Sequence, residues 1–71
     1  MEHITINPGI CHGKPIIAGT RIMVANILSL LAGGYTLEKI KDYYPELTLE
    51  QIRAAIQYAT VAVQDEEIVL Q

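Results

Sequence analysis

With 71 residues the chain holds one domain and one small core, and a core of that size alone leaves roughly 3–5 kcal/mol of net stability. A single cysteine excludes an internal disulfide, and a formal net charge of −3, from 5 Lys+Arg against 8 Asp+Glu, gives nucleic acid no long-range attraction. No apolar run reaches the ~18 residues that span a bilayer and no signal-like segment opens the chain, so a cytoplasmic protein without a membrane partner is expected.

The missing stabilisation points outward. Hydrophobic residues make up 51% of this short chain, which leaves apolar surface for a second copy, and a homodimer is expected. Charge is unevenly spread: residues 1–35 hold Glu2 against Lys14 and Arg21, while the other seven acids and three bases follow Thr36.

The first predicted element is a short strand over residues 2–7. Glu2-His3-Ile4-Thr5-Ile6-Asn7 alternates polar and apolar side chains, and Asn7-Pro8-Gly9 stops it as a turn. A lone strand is unstable, so it pairs with Pro15-Ile16-Ile17-Ala18, with Thr20-Arg21-Ile22-Met23, or with the strand of a dimer mate. Residues 9–19 are rich in Gly and Pro and read as a shaped loop. Gly13-Lys14-Pro15 lacks the second glycine and the Lys-Ser/Thr step of a phosphate loop, so no nucleotide is expected there. Cys11-His12 sets a thiol beside an imidazole, but neighbours in an extended loop point apart, and no third ligand or orienting acid accompanies them. A small buried thiol and a surface imidazole are expected.

Residues 23–32 predict a first helix, with Val24, Ile27, Leu28 and Leu31 on one stripe and Gly33-Gly34 able to turn left-handed at its end. No good cap precedes Val24, so the start is poorly marked. A short second helix begins at Thr36, whose hydroxyl can accept a first-turn N–H, and carries Leu37, Ile40 and Tyr44 on one face. Pro45 ends it, and the chain turns at Tyr44-Pro45-Glu46-Leu47. Thr48 and Gln51 form a capping box that starts the third helix. Two helices joined by about four turn residues match the helix-turn-helix pattern.

The third helix is apolar around too much of its circumference. At 100° per residue, Leu49, Ile52, Ile56, Ala59 and Val63 form the expected core stripe, with Ala55 beside it. Glu50, Ala54, Gln57, Tyr58 and Val61 fall on the far side, and Ala54, Tyr58 and Val61 there mark a second contact surface for a protein. Residues 64–71 follow as three acids and the triplet Ile68-Val69-Leu70, read either as a frayed terminus or as a partner-binding segment through Ile68 and Leu70. The expected layout is a single domain, with strand and loop over 1–22, a three-helix core over 23–63 and a tail over 64–71.

Catalysis would need a nucleophile, acid or base held in a cleft by an orienting partner. Cys11, His3, His12 and Lys14 show no such spacing, so no catalytic residue, metal site or cofactor is expected. DNA contact has a skeleton with few contacts. Thr48, Gln51, Arg53 and Gln57 lie on or beside the helix that would enter a groove, and Lys39 and Lys41 are placed to touch phosphate. Arg53 and Glu50 read equally well as solvated helix charges.

The run Ile6-Asn7-Pro8-Gly9-Ile10, the string Gly13-Lys14-Pro15-Ile16-Ile17-Ala18-Gly19-Thr20-Arg21-Ile22, the helix end Leu30-Leu31-Ala32-Gly33, the turn Tyr44-Pro45-Glu46-Leu47-Thr48 and the stretch from Ile52 to Ala59 resemble the domain-of-unknown-function family four-three-three (DUF433). The resemblance spans nearly the whole chain. It implies a homeodomain-like three-helix fold with an N-terminal extended segment, and a VapB-like antitoxin that binds a PIN-domain ribonuclease toxin and represses its own operon.

Physically, the same string reads as a structural loop. Gly13 and Gly19 take backbone angles other residues resist, Lys14-Pro15 stiffens the connection, and Thr20-Arg21 leads into the helices, with Arg21 expected to clamp the loop by bonding carbonyls or carboxylates. The expected protein is therefore mainly α, a three-helix bundle with a helix-turn-helix and a short N-terminal strand. Its expected function is that of a dimeric antitoxin of a type II toxin-antitoxin pair, or a DNA-binding autoregulator. The alternative is a protein-interaction module that never touches nucleic acid.

Overall fold

The structure, a computed structural model, describes residues 2–65. In chain order it contains β1 (Ile4–Thr5), a tight turn at Cys11–Gly13, β2 (Ile16–Ile17), α1 (Val24–Ala32), α2 (Leu37–Tyr43) and α3 (Leu49–Asp65). The chain is mainly α, as the periodicities predict. No described helix is long and apolar enough to cross a membrane.

The strand left with three pairing options takes one within its own chain. β1 and β2 are antiparallel, with Ile4 opposite Ile17 and Thr5 opposite Ile16. β2 is held on its other side too, because Ile17 N–H donates to Ile22 O at 2.9 Å and Ile16 bridges to Met23. The reversal runs through residues 17–20, closed by Thr20 N–H on Ile17 O at 3.0 Å. Gly19 has φ +79, the left-handed angle a type II turn requires at its third position.

The poorly marked start of α1 is fixed by this loop. Met23 caps without a side-chain bond, and the Val24 N–H donates instead to Pro15 O at 3.0 Å. At the other end Gly34, with φ +97, lets Gly34 N–H reach Leu31 O and Tyr35 N–H reach Leu30 O, both at 3.0 Å. This is the Schellman pattern, which satisfies carbonyls the helix leaves open.

The α2-turn-α3 unit forms as the sequence predicts. Thr36 Oγ1 accepts from Lys39 N–H at 3.1 Å, and Leu47 N–H closes the turn on Tyr44 O at 2.9 Å. Gln51 N–H donates to Thr48 Oγ1 at 3.1 Å while Thr48 N–H donates back to Gln51 Oε1 at 2.8 Å. The turn places Leu47 in the core beside Ile17, Ile27, Ile40 and Ile52, all at 1% exposure or less.

Along α3 the buried stripe is rotated from the expected one. Ile52 and Ala55 are fully buried, and Leu49, Ala54 and Tyr58 pack against the core, so Ala54 and Tyr58 do not lie on a far side. Ile56 and Ala59 are only half-buried, and Val63 is 59% exposed. The cause is that α3 packs against α1, α2 and β1 together, so its buried line bisects several neighbours. It is also longer than they are. At 1.5 Å per residue, the 17 residues of α3 extend about 25 Å against about 13 Å for the 9 of α1, so among the described residues its last turns have less of the chain packed against them.

Candidate functional site

Three surfaces gather the residues singled out by sequence. The first is polar surface on α2 and α3. Lys39 is exposed on α2, beside Gly33, Gly34 and Tyr35, and Arg53 and Gln57 are exposed on α3, one helical turn apart. The other three residues assigned to DNA have structural duties: Thr48 and Gln51 satisfy each other in the capping box, and Lys41 Nζ donates to Leu47 O at 3.0 Å, holding the turn. Glu50 lies 3.2 Å from His3 Nε2, an ion pair when His3 is protonated, which ties β1 to the first turn of α3. That pairing carries no local sequence signal, because it depends on β1 packing beside α3.

The second surface is apolar. A groove of about 300 Å³ runs between α1 and α3, lined by Pro15, Leu28, Tyr58, Ala59, Ala62 and Val63 among others. An adjoining concavity shares Leu28, Ala59 and Val63 and adds Ile56. The excess apolar circumference of α3 therefore exists; Tyr58 lines it as expected, Ile56, Ala59, Ala62 and Val63 make up the rest, and Ala54 lines neither concavity. Val61 is half-buried, and Ile68 and Leu70 lie outside the described residues.

The third is the loop between β1 and α1. Cys11, His12 and Gly13 all adopt left-handed angles, with φ of 52, 58 and 77. Only glycine takes such angles freely, so Cys11 and His12 are held against their own preference. Cys11 is half-buried, contrary to the expectation of a buried thiol, and its Sγ–H faces Arg21 O at 3.5 Å; His12 is exposed. The clamp expected of Arg21 is made by its neighbour. Thr20 Oγ1 donates to Ile17 O at 2.8 Å and accepts from Ile22 N–H at 3.0 Å, while the Arg21 side chain is exposed. No group of three His, Cys, Asp or Glu side chains is close enough to hold a metal among the described residues.

The model of the protein family of unknown function DUF433 matches residues 4–59. The chain belongs to the DUF433 family. It is similar to the uncharacterized protein y4eO of Sinorhizobium fredii, 36% identical over 58 residues that make up 82% of this chain and 26% of that protein. It is also similar to the crystal structure of a DUF433 member protein from Anabaena variabilis, with a TM-score of 0.82, 32% identity, and coverage of 87% of this chain and 61% of that one. This DUF433 chain thus spans about a quarter of the length of the curated relative and about three fifths of the solved one. The matched range contains the β1-to-α1 loop and the capped turn, whereas Ala62 and Val63 of the groove lie beyond it.

Proposed function

We infer that this DUF433 chain is a protein-binding module of the antitoxin type, with the α1–α3 groove as the docking surface for a PIN-domain ribonuclease. The groove carries the inference: an apolar channel beside a helix that outruns its neighbours is the kind of site in which a partner helix or apolar side chains bury. Charge supports the choice of partner. An enzyme that cuts RNA presents a basic surface to its substrate, and residues 36–71 offer it seven acids against three bases. In this reading the chain works in the cytoplasm, turns over no substrate itself, and needs no cofactor.

A second copy of the chain is the competing occupant, since a homodimer could bury the same groove. DNA contact by α3 is the second reading, favoured by the capped helix-turn-helix and by the exposed pair Arg53 and Gln57. With Thr48, Gln51 and Lys41 engaged, few side chains remain for it, and a net charge of −3 opposes it.

The test is co-expression with the product of the adjacent gene, which the proposal takes to be a PIN-domain ribonuclease. The proposal predicts a stable complex and relief of toxicity, both lost in Val63→Lys and Ala59→Lys but kept in Arg53→Ala. Relief that survives both groove variants would contradict it, as would a chain that never associates with the ribonuclease. A salt titration on its own upstream DNA addresses the second reading: phosphate contacts predict affinity falling steeply with salt.

A further inference from the structure

We propose that the cavity between β1 and the residue 17–20 turn is a carboxylate-binding site anchored by Arg21. The cavity is about 480 Å³ and is lined by Thr5, Asn7, Ile10, Ile16, Gly19, Thr20 and Arg21. Its volume lies within the range of sites that take small ligands or a partner's side chain. No acid lines it. Among the described residues Arg21 is engaged through its backbone carbonyl alone, by the Cys11 thiol, which leaves the five N–H donors of the guanidinium for a ligand.

Asn7 lines the same cavity. Its Oδ1 accepts from Gly9 N–H at 2.8 Å, so the two N–H donors of its amide remain. Thr20 is already committed twice and serves to fix the wall rather than to bind. The Thr20 clamp and the left-handed Gly19 hold the turn that carries Arg21, so the backbone from which its side chain reaches is fixed before any ligand arrives.

The arrangement favours a carboxylate over a phosphate. A guanidinium fork matches two carboxylate oxygens, and the half-buried Ile10 offers apolar contact to a short aliphatic stem. A phosphate, with up to two charges, would meet a single cation and nothing to suit a hydrocarbon wall. Local charge agrees, because residues 1–35 carry Lys14 and Arg21 against Glu2 in a chain that is otherwise acidic. The ligand is a small aliphatic acid or the Glu side chain of a bound protein, which share this chemistry. The inference is independent of the groove, whose residues lie elsewhere apart from the neighbouring loop.

The test is a titration of the full chain with butyrate, and in parallel with a short Glu-containing peptide blocked at both ends, followed by NMR shifts of the Gly19, Thr20 and Arg21 amides and the Asn7 side-chain amide. Saturable shifts at these positions are expected, with affinity falling at least about tenfold in Arg21→Gln and less in Arg21→Lys. Saturation by butyrate would identify a free acid as sufficient, and saturation by the peptide alone a protein side chain; either supports the site. Asn7→Asp keeps an oxygen for Gly9 N–H but adds a charge to the cavity, so it should abolish binding without unfolding the loop. Shifts that never saturate, that persist in both Arg21→Gln and Asn7→Asp, or that appear with inorganic phosphate alone would overturn the proposal.

Discussion

Thr20 holds together the most irregular part of the chain with one hydroxyl. It gives its proton to Ile17 O and takes one from Ile22 N–H, joining both sides of the turn that leads β2 toward α1. Thr20→Val keeps the size and removes both bonds, so it should lower stability by about 1–3 kcal/mol, measured by urea denaturation. The two glycines after α1 make a sharper comparison. Gly34 has φ +97 and Gly33 a φ of −80, so Gly34→Ala should cost about 1 kcal/mol or more. Gly33→Ala should cost less, since its Cβ would sit 3.4 Å from two carbonyls of α1, close to ordinary contact. Equal losses in the two variants would contradict the assigned cap. These single-residue features were legible in sequence where the partner is near in the chain, as with Thr36, the Thr48–Gln51 box and the helix-ending glycines. The His3–Glu50 pair was not, because it depends on β1 coming to rest beside α3; the role of Thr20 was not either, although its partners are two and three residues away, because it shows only once the turn at 17–20 is formed.

At the scale of elements, the three helices and the strand could be read from period and punctuation, but the buried face of α3 could not. A single-helix projection supposes one neighbour, and α3 has three, so its buried line moves to Ile52 and Ala55. The same geometry makes the α2–α3 turn a packing element. Leu47 is 1% exposed, and Leu47→Ala should destabilise by about 2–4 kcal/mol. Thr48→Ala, next to it, should cost about 1 kcal/mol through loss of the cap alone. Thermal melts of the pair check this order, and a larger loss in Thr48→Ala would mean that the turn is held by its cap rather than by its core contact. The pairing of β1 with β2, one of three options open in the sequence, follows from the turn at 17–20, which sets Ile16 and Ile17 between two neighbouring segments.

For the whole molecule, the uneven lengths of α1 and α3 decide what surface remains. Ile56, Ala59 and Val63 stand beside Leu28 of α1 without being fully covered by it, so an apolar groove is left on a chain of 71 residues. The excess of apolar surface was legible from composition and from the α3 wheel; its location was not, since it depends on which neighbours α3 meets and where they stop. Removing exposed apolar surface does not harm a fold that never used it. Val63→Lys should therefore leave the melting temperature within about 0.5 kcal/mol of equivalent stability while weakening association with the proposed partner. Tyr58→Lys should do both, because Tyr58 lines the groove and also packs against the core.

The most direct test is methyl NMR of the isotope-labelled chain as the product of the adjacent gene, proposed above to be a PIN-domain ribonuclease, is added. Cross-saturation at Leu28, Ala59, Ala62 and Val63, with the amides of Arg53 and Gln57 unaffected, is the predicted footprint. A footprint centred on Lys39, Arg53 and Gln57, or no saturation anywhere, would contradict the groove as the place where this chain meets its partner.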